Sequence, residues 1–79
     1  MFLEITGFRA IGSDDKSIKF ELDVPSEYEP TVLDILDWKS LVAECGGELQ
    51  LTREQILKIS SAINEILPID LELYIGVRI

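Results

Sequence analysis

The chain has 79 residues, 47% of them hydrophobic, with 15 acids against 7 bases, a net charge of −8 and no histidine. At that length a single domain, residues 1–79, is expected, and burying only about 60% of its unfolded surface leaves little depth for an active-site cleft. The charge balance disfavours nucleic acid and anionic membrane as partners, since both call for clustered Lys and Arg, whereas the bases here are scattered from Arg9 to Arg78.

In chain order, Phe2, Leu3, Ile5 and Phe8 within residues 2–10 fit a strand partly buried on both faces. Gly12-Ser13-Asp14-Asp15 follows as turn material, so the opening reads as a β-hairpin. From Ser17 the alternation is clean, with Ile18, Phe20, Leu22 and Val24 on one face and Ser17, Lys19, Glu21 and Asp23 on the other. Pro25 ends that strand, and residues 26–30 read as an exposed loop bracketed by prolines.

Residues 31–45 allow two readings. Thr31 and Asp34 resemble a capping box and Gly46-Gly47 would serve a helix C-terminus. Against a helix, Val32, Leu33, Ile35, Leu36 and Trp38 would surround it almost completely, which suits a buried strand from Val32 to Asp37, the reading preferred here. Beyond it, Thr52 and Gln55 form a capping box for an amphipathic helix over 53–67, with Ile56, Ile59, Ile63, Ile66 and Leu67 on its apolar face and Pro68 as its stop. Residues 69–79 then alternate with period two as a closing strand. The expected fold is a small α+β domain: a mostly antiparallel sheet made of a β-hairpin, a third strand and a closing C-terminal strand, with one amphipathic helix on one face.

The residues point away from catalysis. Without histidine the commonest general base and nucleophile activator is missing. Cys45 is the lone cysteine, so no intrachain disulfide can form; Glu44 and Glu48 flank it and oppose a reactive thiolate, and it reads as a small half-buried hydrophobe in a reducing cytosol. Among carboxylate pairs, Asp14-Asp15 reads as a solvated hairpin tip, while Glu27-x-Glu29 and Asp34-x-x-Asp37 lack the alternating oxygens and central glycine of a calcium loop. Gly46-Gly47 lacks the further glycines and lysine of a phosphate cradle. No catalytic residue, metal or cofactor is expected. The N-terminus lacks the basic and uninterrupted apolar regions of a signal peptide and no apolar run approaches about 18 residues, so a cytoplasmic protein is the default.

The most informative stretch runs from Glu21 to Asp37, where Glu21, Asp23, Glu27, Glu29, Asp34 and Asp37 occur without a single Lys or Arg. Such a run suits a positively charged partner, although an ordinary solvated surface has the same composition. Trp38, just beyond it, is either a core residue or an interface anchor, and Tyr28, between Glu27 and Glu29, is either an exposed loop residue or a contact hot spot. Glu27, Tyr28, Glu29, Asp34, Asp37 and Trp38 are therefore the candidate partner-binding residues. The alternative is an accessory domain that forms a homo-oligomer through its sheet edges.

The opening hairpin, then Leu33-Asp34-Ile35-Leu36-Asp37-Trp38, then Leu51-Thr52-Arg53-Glu54-Gln55-Ile56 at a helix start, and finally Ile69 to Ile75, resemble the small immunity proteins encoded beside bacterial polymorphic toxins. Members of that kind show a strand ending near a Trp, a Leu-Thr-x-Glu helix start and a closing strand. The resemblance implies a non-enzymatic inhibitor that binds and neutralises a cognate toxin effector domain, and it favours a strand over 32–37.

Overall fold

The opening and closing segments of the chain, farthest apart in sequence, become the centre of the sheet. A computed structural model describes residues 1–9, 17–44 and 46–79. The Gly12–Asp15 turn, the Asp14-Asp15 pair and Cys45 lie outside the described residues. Strand β1 (Phe2–Phe8) runs antiparallel to the last strand, β4 (Glu72–Arg78), with Phe2 opposite Arg78 and Phe8 opposite Glu72. Strand β2 (Phe20–Asp23) pairs with the other edge of β1, and the three-residue β3 (Glu48–Gln50) pairs with the other edge of β4. The order is β2-β1-β4-β3, antiparallel throughout. The expected α+β fold with its antiparallel sheet is present, and two helices accompany it.

Those helices, α1 (Glu29–Leu36) and α2 (Arg53–Ile63), share one side of the sheet. Leu3 and Ile5 of β1 and Leu73, Ile75 and Val77 of β4 form the floor of the core, with Val32 and Leu36 of α1 and Ile56, Ile59 and Ile63 of α2 above them. Each such side chain taken out of water contributes about 1.5–3 kcal/mol before entropy is counted. Gly7 lies on this floor because a Cβ there would stand 2.8 Å from Leu73 Cδ2 and 3.0 Å from Phe20 Cβ. The shortest dimension of the molecule is 18 Å, room for a sheet and a single helical layer.

Between residues 26 and 50 three expectations are corrected. Residues 32–37 form most of helix α1 and its end, and the third strand is Glu48–Gln50. A short apolar run looks the same in sequence whether it is a strand or a helix packed on several sides, and here Val32 and Leu36 are buried while Leu33 and Ile35 are half-buried. The Thr31–Asp34 box does not cap α1, whose N-cap is Tyr28 without a side-chain bond, and the helix ends at Asp37 and not at Gly46-Gly47. Residues 26–28 form a 3-10 turn leading into α1, and Pro30 sits in the first helical turn, where its missing N–H has no partner to lose.

The second helix begins as expected: Gln55 N–H donates to Thr52 Oγ1 at 3.1 Å and Thr52 N–H to Gln55 Oε1 at 2.9 Å. It stops at Ile63, short of the expected Leu67, because Asn64 adopts the left-handed conformation (φ 56°) and Glu65 N–H donates back to Ser60 O at 3.1 Å. The chain leaves the helical path there, so Ile66 is 93% exposed while Leu67 turns inward at 3%. The closing strand is also shorter than 69–79, and Ile69 and Ile79 are exposed.

Candidate functional site

The acidic stretch is shaped by how α1 ends. Asp37 takes the left-handed conformation (φ 59°), its N–H donates to Asp34 O at 3.1 Å, and Trp38 N–H donates to Leu33 O at 2.9 Å. This is a Schellman motif, in which the residue after the left-handed position packs back on the last turn. It sets Trp38 beside Leu33, and the two line a shallow hollow with Ser26, Glu29, Pro30, Asp34 and Lys39. Trp38 is half-buried and packs against the core, so it is at once a core residue and a wall of this hollow.

The six sequence-predicted partner residues divide evenly. Glu29, Asp34 and Trp38 meet around the hollow. Glu27 is exposed on the 3-10 turn and Asp37 is exposed at the helix end, and neither lines it. Tyr28, read from sequence as either an exposed loop residue or a contact hot spot, is half-buried against the core and does not line the hollow. Lys39 places a cation at the rim, so the cation-free sequence run is not a cation-free surface. Among the described residues no three or more Cys, Asp or Glu side chains are grouped to hold a metal ion, and no helix is long and apolar enough to cross a membrane.

The other side of the sheet was not singled out by sequence reading. The even-numbered residues of β1 and β4 point away from the helices, and among the described residues no element packs over them. Register carries Glu4, Glu21, Asp23, Glu48 and Glu72 to this side, and within the four strands the one basic residue is Arg78. Asp23, Glu4, Gly76 and Glu48 form one row across all four strands, with Glu4 directly opposite Asp23. Like charges so placed cost about 0.2–1 kcal/mol.

Arg78 offsets part of that repulsion. Its Nε donates to Glu4 Oε1 at 2.9 Å and its Nη2 donates to Glu48 Oε1. The guanidinium is held above its ordinary arginine value chiefly by the hydrogen bond to Glu48, against a lowering by burial, with the bond to Glu4 and the fields of both carboxylates adding to the rise. One row further, Phe8 and Tyr74 meet edge to face at 5.8 Å between ring centroids, the diagonal pair that this register permits. The two regions adjoin: Glu48 also lines a second hollow, with Trp38, Ala43, Glu44, Gly47 and Leu49.

The signal for this face was present as alternation in residues 2–8 and 72–78, but only the pairing of strands distant in sequence turns isolated acids into rows. Comparison with protein-family models, with curated proteins and with solved structures returns no match for this chain.

Proposed function

We propose that this chain is a non-enzymatic inhibitory binding module, an immunity protein of the kind encoded beside bacterial polymorphic toxins, that acts by covering the basic surface of a toxin domain in the cytoplasm. The observation that carries the reading is the meeting of Glu29, Asp34 and Trp38 at one hollow, an aromatic wall flanked by carboxylates and set in place by the hydrogen-bonded end of α1. Trp is among the residues enriched at contact hot spots. Carboxylates of this kind speed association with a basic partner and sharpen its choice more than they raise affinity. The chain's lack of histidine fits a protein that binds and does not react.

The test is coexpression. A toxin domain encoded immediately upstream of this chain, lethal when expressed alone, is expected to become harmless when the chain is present. Toxicity undiminished by coexpression sinks the immunity reading. With such a pair in hand, Glu29→Lys combined with Asp34→Lys should slow association at low salt, and an unchanged rate would remove the hollow from the interface.

A further inference from the structure

We propose that the sheet face over which no described element packs is a docking surface for a lysine- or arginine-rich protein element, continuous around β3 with the second hollow, which Trp38 shares with Glu48. The proposal rests on the binding-module reading and names a surface that would extend the contact beyond the hollow of Glu29, Asp34 and Trp38. A sheet face open to solvent is ordinarily polar and evenly charged, whereas this one keeps the Phe8–Tyr74 pair half-buried beside a row in which Glu4 and Asp23 stand opposite each other. Arg78 offsets only part of that repulsion, and a pairing rule left partly broken marks a surface shaped for something outside the chain.

Charge chooses the occupant. Arg78 is already held by Glu4 and Glu48, which leaves Glu21 and Asp23 exposed on β2 to meet cations. A second copy of this chain, at −8, would bring like charge against like across the same face. Nucleic acid and anionic lipid carry the same sign. A cationic protein surface is the occupant whose charges fit, and aromatic rings beside carboxylates suit guanidinium stacking.

Size decides how far the contact extends. Seven-residue strands at about 3.4 Å per residue and three inter-strand gaps of about 4.8 Å make the bare face roughly 340 Å², less than half of the approximately 800 Å² per partner in a standard interface. The missing area lies next door, because Glu48 belongs both to the face and to the hollow that Trp38 walls.

The test uses the full chain, isotope-labelled for amide NMR, titrated with octa-arginine peptide at low salt. Amide shifts at Thr6, Glu21, Tyr74 and Gln50 are expected, together with about tenfold weaker binding in the Glu21→Lys, Asp23→Lys double variant. The neutral pair Glu21→Gln, Asp23→Asn should fall between the two and guards against a folding defect. Shifts confined to Glu29, Asp34 and Trp38, with the double variant binding as the parent does, would overturn the sheet-face proposal and leave the proposed function standing. Failure of toxin neutralisation alongside shifts on the sheet face would do the reverse. A parent chain that forms a dimer protecting these amides would also overturn it.

Discussion

Arg78 lies over Gly76: a Cβ at position 76 would come within 2.6 Å of the Arg78 Nη1 and 3.1 Å of the Gly47 backbone oxygen. Gly76 is the gap in a row of side chains, and the guanidinium fills that gap between Glu4 and Glu48.

Gly76→Ala should therefore push the arginine off its two carboxylates and crowd β3. We expect a loss of about 1–2 kcal/mol, read by urea unfolding with the Trp38 fluorescence as signal. Stability equal to that of the parent would mean that Arg78 is not confined to this position.

Arg78→Gln leaves Glu4 and Glu48 facing each other without a cation, and should cost about 1 kcal/mol. Adding Glu48→Gln should restore part of it. A double-mutant cycle with a coupling energy below about 0.5 kcal/mol would show the ion pair to be energetically idle.

Asp37 sits in a left-handed backbone conformation that glycine adopts without strain. Asp37→Gly should stabilise the chain by about 0.5–1 kcal/mol, seen as a rise in the urea midpoint. Because Asp37 does not line the Trp38 hollow, binding of a basic partner should be nearly unchanged; a large loss would return this carboxylate to the interface.

Ile66 and Leu67 are neighbours with opposite fates. Ile66→Gln should alter stability by no more than about 0.5 kcal/mol, whereas Leu67→Ala should cost about 2–4 kcal/mol through the cavity it leaves. Equal costs at the two sites would mean that α2 continues past Asn64.

The sequence made the fold class legible because its strongest patterns were unambiguous: alternation in β2 and β4, an apolar opening strand at β1, and the Thr52–Gln55 box opening α2. It misled at residues 32–37 because burial on several sides of a helix erases the helical period. It also placed the end of α2 at Pro68, overlooking that Asn64 tolerates a left-handed turn. β3, with Leu49 as its one apolar residue, has no pattern to detect. At the candidate site, Glu29, Asp34 and Trp38 could be found because they are close in sequence. The acids of the open face come from four separate strands, and no local reading joins them.

The sheet is longest in the middle and shortest outside. β1 and β4 have seven residues each, while β2 has four and β3 three. Exposed strand edges are where chains add to one another in fibres, and short outer strands bearing Glu21, Asp23 and Glu48 offer few backbone groups and much repulsion to an incoming strand. A chain rich in aliphatic strand residues thereby carries its own guard against adding strand to strand with its copies.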